Sequence, residues 1–307
     1  MRVASIGECM LELALGTTPS APARFGFGGD TLNTAVYLAR ALAGRQATVS
    51  YVTALGDDPF STEMIAAWEA EGVDTGAVAR IADALPGLYL IRTDAAGERA
   101  FYYWRESAAA RRMLDDGRDL ALAERLRDYD LVYLSGITLG VLHDERRRKL
   151  MRLLESLAGS GTRVAFDTNF RPRLWPDPEL ARRAWRTVAA VAATALPSLD
   201  DERALFGDAS TAAVADRWLG WGVAEVVVKD GPRPCLVADA GGRTAVAPEP
   251  VRDVVDTTAA GDSFNGGYLA ARLLGAAPAV AAAEGHRVAA RVIGARGAIV
   301  PRDATDS

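Results

Sequence analysis

Apolar positions along the chain follow two rhythms. Short apolar runs, "VASI" (Val3–Ile6), "TVSYVTAL" (Thr48–Leu55), "LVYLSG" from Leu131, "RVAFDTN" from Arg163 and "AEVVVKDG" from Ala224, read as buried strands. Between them lie segments with helical spacing: "GGDTLNTAVYLARALAG", "PFSTEMIAAWEAEGV", "DERRRKLMRLLESLA", and stretches near 179–193, 211–221, 262–274 and 278–294. For the first helix, Asp30 or Thr31 is the expected cap and Gly44 sits past the end. Repeated strand–helix alternation predicts an α/β fold, a mainly parallel sheet with helices on both faces. Two stretches break the alternation. Residues 10–27 ("MLELALG", "ARFGF") and 86–106 ("GLYLIRT", "DAAGE", "RAFYYWR") alternate as small strands, the second as a hairpin. They are expected to form a small β-sheet lid, inserted into one domain that spans 1–307.

Composition narrows the function. Half of the 307 residues are apolar and the net charge is −5, which argues against a general nucleic-acid surface. No apolar run reaches membrane-spanning length, and Met1-Arg2 leads straight into the first strand with no signal-peptide pattern. Cys9 and Cys235 stand far apart and suggest no disulfide framework, so a cytoplasmic protein is expected. His143 and His286 make no metal-type pair.

The candidate chemistry lies in "DTTAAGD", Asp256–Asp262, a polar turn that feeds directly into an Ala- and Leu-rich helix. There is no Walker-type GxxxxGK[ST]. A helix start can still hold phosphate through its backbone N–H groups, and small residues at 259–261 would let that phosphate approach. Asp262 at the helix opening could take a proton from a hydroxyl attacking phosphorus, or could serve only the helix dipole. "GFGG" resembles part of a dinucleotide fingerprint but lacks the full spacing.

"GFGGDTLN" (Gly26–Asn33), "VVVKDG" (Val226–Gly231) and "DTTAAGDSFNGGYL" stand in the order and separation seen in ribokinase-like (pfkB) carbohydrate kinases, and the resemblance covers essentially the whole chain. Together with "GECM", "YVTALGDD", "LPGLYLI", "GERAFYYWR" and "NFRPRLW", the chain resembles most the branch that phosphorylates 2-keto-3-deoxygluconate at its 6-hydroxyl. The resemblance implies a ribokinase-like three-layer sandwich, ATP and Mg²⁺, room for a monovalent cation as a further cofactor, and a homo-oligomer formed through the lid. It also implies roles. Asp262 would be the base, and Thr258, Ala259, Ala260 and Gly261 the anion hole. Lys229, Asp230, Gly231 and Asn169 would face the nucleotide. Gly29, Asp30, Thr31, Leu32 and Asn33 would lie against the sugar acid.

Arg105 and Arg171 fit a carboxylate better than a neutral sugar, because guanidinium pairs with carboxylate through charge-assisted hydrogen bonds. Tyr89 and Tyr103 on the lid strands could touch the same ligand. Arg111, Arg112 and Arg146–Arg148 read as solvated charges, Trp104 and Trp175 as packing residues. Glu8 could reach substrate, but a carboxylate at a strand end is common. Two departures stand out. Many relatives read Gly-Ala-Gly-Asp where this chain has Ala259-Ala260-Gly261-Asp262, so a positive φ at 259 would strain the alanine. Many also carry Asn-x-x-Glu where this chain has Ser198-Leu199-Asp200-Asp201, which leaves Asp201 as an indirect metal contact. The alternatives are a kinase of another sugar or sugar acid, such as fructose, ribose or ketodeoxygalactonate, and a non-catalytic nucleotide- or sugar-binding regulator.

Overall fold

The computed structural model describes residues 1–15, 22–93 and 99–302; the expected "DAAGE" turn lies outside them, as does part of the 10–27 segment. In chain order, β1 (Arg2–Ile6), β2 (Met10–Leu15) and β3 (Arg24–Gly28) lead to α1 (Asp30–Ala41), β4 (Thr48–Leu55), α2 (Pro59–Ala70), β5 (Val78–Arg80), β6 (Leu88–Thr93) and β7 (Arg99–Trp104). Next come α3 (Arg118–Leu126), β8 (Leu131–Ser135), α4 (Gly136–Val141), α5 (Asp144–Gly159), β9 (Arg163–Asp167), α6 (Pro178–Ala189), β10 (Thr194–Ala195) and α7 (Leu199–Phe206). The chain closes with α8 (Thr211–Gly220), β11 (Glu225–Asp230), β12 (Arg233–Asp239), β13 (Gly242–Val246), α9 (Ala260–Leu273) and α10 (Pro278–Val292). The apolar pattern gave no sign of β5, only three residues long, or of α3, which buries just Leu122 and Leu126.

Nine strands form the main sheet in the order β13-β12-β11-β10-β9-β8-β1-β4-β5. All pair in parallel except β12, which runs against both neighbours. Alternation within each strand feeds two cores. Val3 of β1 packs on one face with residues of α1, α2, α9 and α10, while Ala4 and Ile6 pack on the other with α5 to α8. The result is the expected three-layer sandwich. The order winds outward from β1 in both directions, and a crevice beyond the carboxyl ends of the strands is where such sheets bind ligands.

A separate four-stranded sheet has the order β3-β2-β6-β7, as the two irregular stretches predicted. Its register sets Phe25, Leu13, Leu90 and Tyr102 in one row, with Trp104 on the same face. This face points outward: Phe25 is 56% and Trp104 58% exposed. Trp104 is therefore not the packing residue expected from sequence, whereas Trp175 is buried edge-on against Trp185. The opposite face presents Tyr89, Phe101 and Tyr103 to a cleft above the main sheet.

Helices α1 and α9 meet at Gly266. A Cβ there would lie 2.8 Å from the Tyr37 Cβ and 3.0 Å from the Leu38 backbone nitrogen. Gly266→Ala must therefore push the two helices apart, at a cost of about 1–3 kcal/mol. Both helices carry residues of the candidate site at their N-termini, so the variant is expected to lose kcat as well as denaturant midpoint. A wild-type midpoint would show that the crossing is looser than this.

Candidate active site

Two helices open toward the crevice without a side-chain cap. α1 starts at Gly29 in extended conformation and α9 at Ala259. The expected cap at Asp30 or Thr31 is corrected: Asp30 is the first helical residue, and the buried Thr31 hydroxyl shares a 3.0 Å hydrogen bond with that of Tyr51. Elsewhere Asp58, Asp177, Ser198 and Ser210 cap α2, α6, α7 and α8. An uncapped start leaves N–H groups and the positive end of the dipole available to an anion. Ala259 has φ +60°, so the strain foreseen for an alanine here is present; a left-handed L-residue costs roughly 1–2 kcal/mol.

Asp262 lies in the first turn of α9. Its carboxylate accepts from Asn33 Nδ2 at 2.9 Å, and its backbone carbonyl accepts from the Thr34 hydroxyl at 3.1 Å. Burial, then the nearby charge of Asp30, pushes the Asp262 pKa up to about 7, against Asn33 and Lys229. Asp30 is raised too, first by burial and then by Asp167, while the Ser135 hydroxyl and Asn169 oppose the shift. Asn169 Nδ2 donates to Asp30 at 2.8 Å, from a backbone with φ +30° that asparagine tolerates. Lys229 Nζ sits between the Asp167 carboxylate at 3.1 Å and the Asn265 Oδ1 at 3.0 Å. Asn265 Nδ2 in turn donates to Asp167 at 2.7 Å.

At Gly261 a side chain would point into open space, with Lys229 Nζ, 3.7 Å away, the one heavy atom near it among the described residues. A small anion placed there would meet a lysine and a helix start. The rest of the turn is occupied with itself. The Thr258 N–H and hydroxyl donate to the Asp256 carboxylate at 3.0 and 2.6 Å, and the Ala260 N–H to the Thr257 carbonyl.

The cleft between the two sheets has a volume of about 970 Å³ and is lined by Glu8, Gly29, Asp30, Asn33, Tyr89, Tyr103, Arg105, Arg171 and Thr258, among others. Most of the expected sugar-side residues thus converge. The Leu32 side chain does not: one helical step from Asn33, it points into the apolar core and is fully buried. Asp230 is held by Arg233 across the β11–β12 turn, with Gly231 at φ +57°. Arg171 is half exposed, 3.6 Å from Asp201, whose pKa burial raises. Tyr89 donates to Glu12.

Arg105 is buried and ion-paired with Glu8, a partner that sequence reasoning set aside. Burial raises the Glu8 pKa and Arg105 opposes it. The sequence signals for Glu8 were its place two residues after β1 and within "GECM". Asp167 and Asn265 were also missed, although Asp167 stands two residues before Asn169 in "FDTN". Arg111 is no solvated charge either: it is buried, with His143 and Glu106 as partners. His286 packs edge-on against Phe264 and meets the Val246 carbonyl oxygen at 3.1 Å.

Comparison with known proteins decides the family. The model of the "pfkB family carbohydrate kinase" matches residues 1–305. The chain belongs to the pfkB family of carbohydrate kinases. It is 47% identical to 2-dehydro-3-deoxygluconokinase of Escherichia coli K12, over 99% of this chain and 98% of that one. The enzyme of the same name from Dickeya dadantii is also 47% identical, over 98% and 97%. Among solved structures, a PfkB protein from Polaromonas superposes with a TM-score of 0.82 at 27% identity, covering 95% of each chain. The 2-dehydro-3-deoxygluconokinase of Thermotoga maritima gives 0.83 at 20% identity, over 98% of this chain and 94% of that one, a likeness of fold.

Three predictions follow from this pfkB site. An unfolded aspartate ionises near its ordinary pKa of 3.8, whereas folded Asp262 keeps its proton to about 7. Stability from this group therefore falls as pH rises between those values. Asp262→Asn is expected to raise Tm at pH 8 while lowering kcat by at least about 10²-fold. Wild-type kcat/KM should drop as pH falls through about 7, where the carboxylate takes up its proton; a flat profile between pH 5 and 8 would contradict the assignment. Gly261→Val should fold normally by circular dichroism, since among the described residues only Lys229 Nζ, 3.7 Å away, lies near the added Cβ, yet lose turnover because its side chain fills the gap facing Lys229. Normal turnover by the folded variant would place the phosphoryl group elsewhere.

Proposed function

We propose that this chain transfers the γ-phosphoryl group of ATP to the 6-hydroxyl of 2-keto-3-deoxy-D-gluconate, giving 2-keto-3-deoxy-6-phosphogluconate and ADP. Full-length similarity at 47% identity to 2-dehydro-3-deoxygluconokinases supports the substrate. The observation that carries the chemistry is the placement of Asp262, a carboxylate with raised proton affinity at an uncapped helix start beside the open space at Gly261. A base of that affinity is matched to removing a hydroxyl proton near neutral pH. The substrate hydroxyl would lie between Asp262 and the phosphoryl group, with Asn33 fixing the carboxylate.

Lys229, anchored by Asp167 and Asn265, would meet the charge that develops on the transferring oxygens. Asn169, Asp230, Gly231 and Thr258 to Ala260 would form the nucleotide side, as the family resemblance implies. Mg²⁺ bound with phosphates needs only one or two protein carboxylates. Asp201, half-buried and facing the same end of the sheet beside Arg171, fits that part, while no group of three or more metal-binding side chains converges among the described residues. When bound, the ion would neutralise phosphate charge.

The small sheet would act as a lid that keeps water from the sugar. Its outward aromatic row, with Phe25, Tyr102 and Trp104, would be covered by a second copy of the chain, making a homo-oligomer. Among the described residues no helix is long and apolar enough to cross a membrane.

Arg105 and Arg171 line the cleft and would grip the substrate carboxylate. Losing one charge-assisted contact costs about 1.5–3 kcal/mol, or roughly 10- to 150-fold in kcat/KM. Arg105→Ala and Arg171→Ala are each expected to lose about that factor on ketodeoxygluconate with ATP affinity nearly unchanged. Wild-type enzyme should strongly prefer the acid over fructose or ribose in a coupled ADP-release assay. Equal kcat/KM for fructose and ketodeoxygluconate would overturn the sugar-acid reading.

A further inference from the structure

Glu8 stands where β1 leaves the main sheet and enters the cleft, yet its side chain is almost wholly buried. One carboxylate oxygen, Oε2, accepts from Arg105 Nη2. Among the described residues no donor reaches the other, Oε1, and that atom is out of contact with solvent. A buried acceptor without a partner costs about 1–3 kcal/mol, more when charged, and native structures rarely leave one unmet. Glycines let the chain close in here: a Cβ at Gly29 would collide with the Glu8 backbone carbonyl, and one at Gly87 would stand 3.1 Å from the carboxylate oxygen Oε1.

We infer that Glu8 is a specificity-determining residue: one carboxylate oxygen fixes the Arg105 guanidinium, and the other accepts a hydrogen bond from a hydroxyl of the bound sugar acid. The inference rests on the sugar-acid kinase reading above. In the open-chain acid, the carboxylate and keto oxygens are acceptors and suit the two arginines, which can only donate. The 6-hydroxyl belongs to Asp262. The C4 and C5 hydroxyls are the donors left, and Glu8 Oε1 takes one of them. The pair thereby reads two features at once, an acid through Arg105 and a hydroxyl through Glu8. An acid of similar length without that hydroxyl would leave Oε1 unmet, which is how a polar site rejects a near match.

Glu8→Gln tests this with little change of volume. Arg105 can only donate, so the glutamine carbonyl stays on Arg105 and the amide NH₂ takes the place of Oε1, replacing an acceptor with a donor. kcat/KM is measured for wild type and Glu8→Gln on ketodeoxygluconate and on its 4-deoxy and 5-deoxy analogues, with KM for ATP alongside. Wild type is expected to lose about 10- to 150-fold on one of the two analogues, the worth of a hydrogen bond to a charged group. Glu8→Gln should lose a similar factor on the full substrate, mainly in KM, and show no further loss on that same analogue. KM for ATP should not change. Equal additional losses on all three substrates would reduce Glu8 to a support for Arg105 and overturn the inference, as would an unchanged KM. If Glu8→Gln does not fold, the wild-type series decides: losses below about threefold on both analogues overturn it, being too small for a charged hydrogen bond. A wild type that phosphorylates no sugar acid sinks the parent reading, and this inference with it. An active wild type with the wrong analogue pattern sinks only the inference.

Discussion

Asp30 and Asp262 are buried within reach of each other and of the Asp167 charge, and the rest of the site is arranged around that conflict. Repulsion and desolvation both raise proton affinity. Lys229 sits between Asp167 and Asn265 and answers part of the negative charge, and the uncapped starts of α1 and α9 add partial positive charge. The balance leaves Asp262 with a proton affinity near neutrality and Lys229 fixed beside the space at Gly261. An unburied aspartate would stay ionised to far lower pH and be a weaker base. A carboxylate buried without the lysine would be held protonated more firmly.

The same conflict explains why the scaffold is packed so tightly beneath the site. Asn33 holds Asp262 across the α1–α9 interface at 2.9 Å, and the Thr34 hydroxyl holds its backbone. Both contacts depend on two helices meeting at glycine-to-backbone distance at Gly266. Strain is accepted in the turn as well, with Ala259 left-handed where glycine would be relaxed. Strained backbone and buried charge lower stability locally, and the two apolar cores on either face of the nine-stranded sheet offset that cost. The small sheet has no such core of its own. Its outward row of aromatics is exposed.

Much of this was legible in the sequence because it follows from local rules. Runs such as "EVVVKDG" are strands wherever they occur in a sheet covered on both faces, and the alternating "GLYLIRT" and "RAFYYWR" could pair only as a hairpin outside it. The motif "DTTAAGDSF" carries its own meaning, since small residues before a helix start describe a turn that a phosphate can approach. The strain at Ala259 was also foreseeable, because positive φ penalises any residue with a Cβ. Glu8, Asp167 and Asn265 stand in or beside the quoted motifs, but nothing local to them shows the partners that give them their roles.

The sequence by itself determined most of the elements, the helix-covered parallel sheet and the turn that opens α9, because periodicity, turn chemistry and backbone strain act over a few residues, and its motifs carried the family resemblance. Tertiary structure alone decided which polar groups share a buried space. It set Glu8 against Arg105 across 97 positions of chain, turned Leu32 into the core while Asn33 faces the cleft, and brought Lys229 to Asp167 and Asn265. Proton affinity and hydrogen-bond partnership depend on burial and on distance in space, and neither quantity is written in the order of residues.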